Sequence, residues 1–384
     1  MRWALLLLLA CAKPVVKEAQ PLVDPVATND GDRLSAMKTE LENDILESYD
    51  RDEAPELETG MLSPAIGGAR IGVGPGDMLI AQDLRRAPSR WPLNVDRATL
   101  TSVRSKRLAV SFAIDETAAW MSDEVSWRIT ICGRIAVIPL RITGLYAHDG
   151  DRWVPVFEHV AFAHPPGPAR DGQLRGSRIP SAVVSRDLAD DLSRVLGPML
   201  SRGPRDSLAI STGPEAALLG PDVDSEWRGG GMLTANLTTG PMIAEDRRVG
   251  TVGRSVLKST IAYWIGNLIA DLPARPGVPA GKVRLRGSFI FEKRKPAADD
   301  KPVKAGINAC AADPKDCRWV LVQAQVSEPI EDQDLATTVF GTSLLSLNPL
   351  QLTCADGRRP VIGLPAAPPP PLPRPIAPAT GGSP

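Results

Sequence analysis

Residues 152–163 read RWVPVFEHVAFA, and residues 318–329 read RWVLVQAQVSEP. Each stretch opens with Arg-Trp-Val and continues as a largely apolar run of β-branched and alternating residues, which is typical of a strand. Because the pattern occurs once in each half of the chain, we interpret it as the closing strand of a repeated unit. This pair of strands decides the predicted fold.

Four further pairs of segments recur in the same order along the chain. They are the helical stripes Leu34, Met37, Leu41, Ile45, Tyr49 and Leu188, Leu192, Val195, Leu196, Leu200; the Gly-Pro segments 70–84 and 217–233; the strands 116–129 and 259–272; and the strands 138–148 and 283–293. The last pair carries an arginine at equivalent places, Arg141 and Arg286. Corresponding segments in a conserved order indicate an internal duplication.

The chain length agrees with two domains, since 384 residues exceed the ~150 residues of one typical domain. Composition shifts set the predicted boundaries. We predict a lipoprotein signal peptide at 1–10, a flexible tether at 11–31, a first domain at 32–165, a linker at 166–183, a second domain at 184–355 with an insert at 294–317, and a disordered proline-rich tail at 356–384.

The first residues, MRWALLLLLACAK, indicate export. The apolar run is too short to span a bilayer, and Leu-Leu-Ala before Cys11 resembles the bacterial lipobox, in which the cysteine receives a diacylglycerol. We therefore predict a lipid-anchored protein of the bacterial cell envelope that faces the periplasm or the exterior. Ordinary secretion, with cleavage after Ala10 or Ala12, and a misassigned start codon are the alternatives.

Four cysteines remain beyond Cys11. An even number in an exported chain suggests disulfides. The turn-rich segment CAADPKDC brings its ends together, so we predict a bridge between Cys310 and Cys317. Cys132 then pairs with Cys354, or both are free. No close pair of further ligands accompanies them, so zinc is not predicted.

The charge balance and the motif content exclude several classes of function. The net charge is −1, from 44 basic and 45 acidic residues, which leaves no basic excess for a nucleic-acid partner. The segment GVGPG lacks the spacing of a nucleotide-binding loop. Neither a serine elbow nor a metalloprotease or calcium motif occurs, and we predict no cofactor and no metal.

The order of these segments resembles the SnoaL-like branch of the nuclear transport factor 2 superfamily. The residues that carry the resemblance are the leading helix, the Gly-Pro…Glu226-Trp227…Gly229 segment, the strand Ala119-Trp120-Met121-Ser122-Asp123, and the hairpin that ends in Arg-Trp-Val. The resemblance implies an α+β fold of two tandem cone-shaped domains, each a curved antiparallel sheet wrapped around N-terminal helices. Members include isomerases, cyclases, hydrolases and non-enzymatic binding modules, so the fold does not select a function.

The resemblance also implies where a catalytic site would lie, because enzymes of this fold use an aspartate or an Asp/His pair as general base. Strict alternation along the closing strand places Trp153, Phe157 and His159 on one face. His159, with Asp123 or Asp115 assisting, is therefore the candidate catalytic residue. A hydrogen-bonded histidine on a sheet face or at a domain interface is the structural alternative, and it is the more common role for such a residue.

The second copy carries Gln325 where the first has His159, and glutamine cannot act as a base at neutral pH. Catalysis, if present, is therefore expected in the first domain only. The predicted ligand-binding residues of the two domains are Trp120, Arg141, Phe157, Arg286 and Gln325.

Two hypotheses follow. The favoured one is a non-catalytic, membrane-tethered lipoprotein that binds a small hydrophobic ligand or an envelope protein, with its two domains paired as an intramolecular pseudo-dimer. The alternative is a small-molecule isomerase, cyclase or hydrolase with its active pocket in domain 1.

Overall fold

A computed structural model of the chain describes residues 30–50, 68–74, 78–81, 94–95, 98–131, 134–148, 152–163, 178, 181–222, 224–238, 240–252, 256, 258–274, 279–295, 308–313, 315–330, 357 and 362–363. In its first half, the elements are helix α1 (Asp30–Asp50) and strands β1 (Gly68–Ile71), β2 (Met78–Ala81), β3 (Asn94–Val95), β4 (Ala98–Ser105), β5 (Ala109–Phe112), β6 (Ala118–Ile131), β7 (Arg134–His148) and β8 (Trp153–Phe162).

In the second half, the elements are β9 (Ala182–Val183), α2 (Arg186–Ser201), β10 (Ala217–Leu219), β11 (Glu226–Arg228), a 3₁₀ helix (Gly229–Leu233), β12 (Met242–Thr251), β13 (Ile261–Leu272), β14 (Gly281–Arg294), the short helix α3 (Ala309–Ala312), β15 (Arg318–Ser327) and β16 (Ile362–Gly363).

Two seven-stranded sheets dominate the fold. The first has the order β2-β1-β8-β7-β6-β4, with β5 also paired to β6, and the second has the order β11-β10-β15-β14-β13-β12-β9. Most neighbours are antiparallel, but β1 pairs with β8, β10 with β15 and β9 with β12 in parallel. We call the first sheet with α1 the first unit, and the second sheet with α2 the second unit.

The predicted fold class is therefore wrong. The described part of the chain is mostly β, its two sheets are mixed, and one long helix packs on each sheet. This is not a pair of cones in which an antiparallel sheet wraps around several helices. The parallel strands were missed because β1 and β10 are only four and three residues long. Apolar runs of that length reveal neither their partner nor their direction.

The closing strands β8 and β15 carry the same irregularity at the same place. In β8, Val156 is skipped between the partners of Leu145 and Tyr146, and in β15, Val322 is skipped between the partners of Ile290 and Phe291. Each skipped residue marks a β-bulge, which reverses the alternation of side chains beyond it. Strict alternation was therefore wrong for Trp153, which packs on the helix-facing side of the sheet, opposite to Phe157.

The two predicted helical stripes are confirmed. Met37, Leu41, Ile45 and Tyr49 of α1 are buried against the first sheet. Leu188, Leu192, Leu196 and Leu200 of α2 are buried against the second sheet. The Oγ of Ser185 accepts a hydrogen bond from the amide of Leu188 at 3.4 Å, so Ser185 is the N-cap of α2.

Three apolar clusters establish the order of the layers. One lies between α1 and the first sheet, and one lies between α2 and the second sheet. The third joins residues of both sheets, including Trp120 and Phe157 of the first and Tyr263 and Val322 of the second. The layers are therefore helix, sheet, sheet, helix, and the two sheets pack face to face.

The chain returns to the first unit after β15. The amide of Ile330 donates to the carbonyl of Val73 at 2.9 Å, and Ile362–Gly363 pairs with Asn94–Val95 as a separate two-stranded ladder. Ile362 and Gly363 fall within 356–384, the range predicted to be a disordered tail. None of the described helices combines the length and apolarity that crossing a bilayer requires.

The predicted disulfide between Cys310 and Cys317 is confirmed, with their Cα atoms 6.0 Å apart. It closes a short loop in the insert that follows β14. The predicted pairing of Cys132 with Cys354, and the lipidated Cys11, lie outside the described residues.

Candidate functional site

His159, the candidate base, lies between the two sheets. Its side chain is fully buried. The Nδ1 atom lies 2.9 Å from the Oγ of Ser288 on β14, and the Nε2 atom lies 2.8 Å from the Oγ of Ser327 on β15. A neutral imidazole donates from one nitrogen and accepts at the other, so both ring nitrogens are used in joining the sheets.

The surroundings of His159 disfavour its charged form. Burial, together with the charge of Arg286, lowers the pKa of His159 to about 3. The ring is therefore neutral at physiological pH. With no solvent access and no nitrogen left for a substrate, His159 is placed to hold the two sheets together.

The two predicted ligand-binding arginines cross from one unit to the other in a reciprocal way. Arg141 Nη1 donates to the carbonyls of Gly220, Asp222 and Ser225 at 3.1, 2.7 and 3.2 Å. Arg286 Nη1 donates to the carbonyl of Gly72 at 2.8 Å. Gly72 follows β1 and Gly220 follows β10, so each arginine caps the strand end of the opposite unit.

The remaining predicted ligand-binding residues also lie between the sheets. Gln325 Nε2 is 3.5 Å from the carbonyl of Arg141. Trp120 and Phe157 belong to the apolar cluster between the sheets, where the ring centroid of Phe157 lies 5.7 Å from that of Tyr263. The structure therefore brings five predicted residues and His159 together at one interface, all in contact with protein.

Asp123 lies on the opposite face of the first sheet and is not brought near His159. Asp123 pairs with Ile142, and Ile142 pairs with Val160. Directly paired residues share a face of a sheet, and Val160 packs toward α1. His159, the neighbour of Val160 in the strand, therefore projects the other way. The predicted pair of His159 and Asp123 does not form.

Asp123 instead contacts helix α1. Its Oδ2 accepts a hydrogen bond from the hydroxyl of Tyr49 at 3.2 Å, and its Oδ1 accepts one from the amide of Arg107 at 3.1 Å. Burial raises the pKa of Asp123, although hydrogen bonds from Ser105, Arg107 and Tyr49 oppose that effect.

A buried ion pair shares this face. Arg70 of β1 and Glu158 of β8 are register partners, and their Nε and Oε1 atoms lie 3.5 Å apart with both side chains almost fully buried. Glu158 also pairs with Gly144, which lies two residues from Ile142 and hence on the side of Asp123. Tyr49 with Asp123 and Arg70 with Glu158 are two separate polar pairs on this face, and Asp123 lies two strands across from Glu158 and two residues farther along. We call these four residues together the helix-facing cluster.

The second unit has no such cluster at the equivalent positions. Where the first unit pairs Arg70 with Glu158, the second pairs Leu218 with Ala324 in the same parallel register. Both Leu218 and Ala324 pack in the apolar core under α2. The polar residues are therefore a property of one unit, and the architecture itself does not require them.

The sequence contains a signal for this cluster. Glu158 stands in the apolar run VPVFEHVAF, and its counterpart is Ala324. Arg70 likewise interrupts a short apolar segment, but its parallel pairing with β8 could not be foreseen.

A groove of about 360 Å³ lies at the edge of the second sheet, lined by residues 181–183 and 244–247. Its carboxylates already have protein partners, since Arg284 Nε lies 2.6 Å from Glu245 Oε2 and the amide of Asn267 donates to Asp246 Oδ1 at 3.0 Å. Within the described residues, no group of three or more histidine, cysteine or acidic side chains is arranged to hold a metal ion.

No protein-family model matches the sequence, and no curated protein matches it. Among solved structures, the chain is similar to a nuclear transport factor 2-like protein of unknown function from Prochlorococcus marinus, with 13% identity over 27% of this chain and 77% of that chain and a TM-score of 0.17. It is similar to the CamKII hub homology domain of Chlamydomonas reinhardtii, with 14% identity over 35% of this chain and 99% of that chain and a TM-score of 0.18.

A third similar structure is an Ntf2-like protein involved in plasmid conjugation, with 9% identity over 61% of this chain and 78% of that chain and a TM-score of 0.19. Likenesses at these scores assign neither a family nor an activity to this chain.

Proposed function

We propose that the chain is an exported lipoprotein, tethered to a bacterial cell-envelope membrane through Cys11, that acts as a non-catalytic binding module. Its two units are tandem copies of one SnoaL-like ancestor, joined as an intramolecular pseudo-dimer. The matching sheet orders and the matching bulges at Val156 and Val322 support the duplication. The reciprocal caps of Arg141 and Arg286 support the pseudo-dimer.

The helix-facing cluster is the observation that carries the binding function. Burying an ion pair costs desolvation free energy, and replacing such a pair with apolar side chains is often neutral or stabilising. The second unit has Leu218 and Ala324 at the same positions, so stability alone does not account for Arg70 and Glu158. A ligand with an apolar body and a polar head accounts for both the cluster and the apolar side chains around it.

The hydrogen bonds and the burial of His159 support the proposal that the chain is not a catalyst. A general base needs access to the proton that it removes. Both nitrogens of His159 are occupied by Ser288 and Ser327, and its pKa of about 3 makes it a weak base.

The test uses anilinonaphthalene sulfonate, a fluorescent probe with an apolar body and an anionic head. We expect saturable binding by the native chain that is lost when Arg70→Leu and Glu158→Ala convert the first unit to the residues of the second. The matched control removes the ion pair of Arg284 and Glu245 in the second unit and is expected to bind normally. Equal binding by all three proteins would count against the site.

A small-molecule isomerase, cyclase or hydrolase with its active pocket in the first unit is the second candidate, and Asp123 favours it. A carboxyl with a raised pKa beside a phenol, here Tyr49, is suited to general acid–base chemistry. Asp123 is only 1% exposed, so this candidate requires that a substrate displace α1 from the sheet to reach the carboxyl. Turnover of a carbonyl or epoxide substrate that Asp123→Asn abolishes, with unchanged probe binding, would establish catalysis over simple binding.

The lipid anchor has its own test. Mass spectrometry of the mature N-terminus is expected to show a diacylglycerol on Cys11, and an unmodified residue 11 would exclude the anchor.

A further inference from the structure

The two sheets meet through buried polar side chains at the middle of the face that joins them. Thr143 and His159 are register partners in the first sheet, and Ser288 and Gln325 are register partners in the second. All four side chains are almost fully buried. His159 joins the sheets directly, because its Nδ1 atom lies 2.9 Å from the Oγ of Ser288. We call these four residues the polar joint.

The matching registers of the two sheets make the four positions equivalent in pairs. Thr143 and Ser288 each lie two residues after the capping arginine of their strand, and His159 and Gln325 are their partners. The counterpart of the contact between His159 and Ser288 is therefore a contact between Gln325 and Thr143. Gln325 does reach this side of the joint, since its Nε2 lies 3.5 Å from the carbonyl of Arg141, two residues before Thr143.

This second contact is not made directly. Among the residues that the structure describes, neither Thr143 Oγ1 nor Gln325 Oε1 has a hydrogen-bond partner, although both atoms are buried. The amide of Gln325 cannot turn over to improve this, because only Nε2 can donate to the carbonyl of Arg141. Buried polar atoms of native proteins are nearly always paired, and water is the usual partner where protein offers none.

The first sheet also offers fewer polar groups to Gln325 than the second offers to His159. His159 has a second partner, Ser327, whose Oγ lies 2.8 Å from Nε2. The position equivalent to Ser327 in the first sheet is Ala161, which pairs with Arg141 as Ser327 pairs with Arg286. An alanine cannot form a side-chain hydrogen bond, and it is one atom smaller than serine.

The chemistry of the two unpaired oxygen atoms selects a neutral molecule. The hydroxyl of Thr143 donates or accepts, whereas the amide oxygen of Gln325 only accepts. An anion would be repelled by that oxygen, and a cation would be repelled by the guanidinium groups of Arg141 and Arg286, which lie on the same faces. A water molecule accepts from the hydroxyl and donates to the amide oxygen, which gives it the minimum of two partners that a buried water needs.

We propose that the polar joint contains a binding site for one buried water molecule, which bridges Thr143 Oγ1 and Gln325 Oε1. The two sides of the joint then connect the sheets by different means, an imidazole on one side and an amide with a water on the other. The site lies on the face opposite to the helix-facing cluster, because Thr143 pairs with His159. It is therefore separate from the proposed ligand site.

A high-resolution crystal structure of the full chain tests the proposal directly. We expect an ordered water within about 3.2 Å of both oxygen atoms. A direct hydrogen bond between the side chains of Thr143 and Gln325, with no water beside them, overturns the proposal.

Magnetic relaxation dispersion of water nuclei counts long-lived buried waters in solution and gives a second test. Thr143→Val keeps the shape of the side chain, removes the hydroxyl, and is expected to lower the count by one relative to the native chain. Thr260→Val is the matched control, since the hydroxyl of Thr260 already donates to Asp115 Oδ2 of the other unit, and it should leave the count unchanged. Equal counts for all three proteins contradict the site.

A variant that copies one side of the joint onto the other sharpens the experiment. Gln325→His with Ala161→Ser installs the arrangement that surrounds His159. We expect the new ring to contact Thr143 directly and to displace the water, so the count falls by one while the circular dichroism stays native. An unchanged count in this folded variant would contradict the equivalence of an imidazole with an amide and a water.

Discussion

His159 makes the stability of this chain sensitive to acid in a calculable way. Its pKa is lowered from 6.5 to about 3 in the folded chain. Between these values the unfolded chain binds a proton that the folded chain does not. The contribution of the neutral His159 to the free energy of unfolding is therefore fully present above about pH 6.5 and decreases as the pH falls. Each pH unit in this window costs about 1.4 kcal/mol.

The perturbation that isolates this effect is His159→Gln, which installs the residue found at the equivalent position, Gln325. The variant loses about 1–2 kcal/mol at neutral pH, because one serine partner keeps a poorer hydrogen bond. The variant also loses the dependence of stability on pH that His159 causes, since glutamine does not titrate. Between about pH 6.5 and 4.5, the native chain should lose about 2.7 kcal/mol more than the variant.

Urea unfolding followed by tryptophan fluorescence measures this difference at several pH values. Carboxylates such as Asp123 and Glu292, whose pKa values are raised by burial, titrate in both proteins and cancel in the comparison. His148→Gln, at a partly exposed histidine, is the matched control and should retain the native acid dependence. If native chain and His159→Gln lose stability in parallel, His159 is not held neutral between the sheets.

Three further predictions concern stability and use the same unfolding measurement. Glu158→Ala alone should destabilise the chain by about 3–5 kcal/mol by stranding Arg70, whereas Arg70→Leu with Glu158→Ala together should be neutral or stabilising by about 1–4 kcal/mol; a double variant as weak as the single would refute this. Arg141→Met should cost about 2–4 kcal/mol, since the buried carbonyl of Gly220 loses its donor and those of Asp222 and Ser225 each lose one of two donors. Replacing Cys310 and Cys317 by serine should cost up to about 2.5 kcal/mol from loop entropy, and the reduced native chain should match that variant.

The sequence predicts what local patterns determine. The stripe from Met37 to Tyr49 defines α1 because its spacing matches the turn of a helix. The turn-rich segment between Cys310 and Cys317 defines the disulfide because short loops bring their ends together. The closing strands were also found, since each is long, apolar and rich in β-branched residues.

The sequence does not predict features that depend on partners far along the chain. The bulge at Val156 leaves no mark on composition, yet it moves Trp153 to the face opposite Phe157. The partners of His159, Ser288 and Ser327, are ordinary serines until the two sheets meet. The ion pair of Arg70 and Glu158 required the parallel register of β1 and β8.

The two faces of each sheet differ in how freely their residues can be substituted. The joining face is constrained from both sides, because Arg141 and Arg286 must each reach the opposite strand end. The helix-facing side is constrained only by its own helix, so Leu218 and Ala324 can stand where the other unit has Arg70 and Glu158. Residues that differ between equivalent helix-facing positions are therefore better guides to function in such a chain than residues that are merely rare. By that criterion the helix-facing cluster outranks His159, whose difference from Gln325 lies on the face that holds the molecule together.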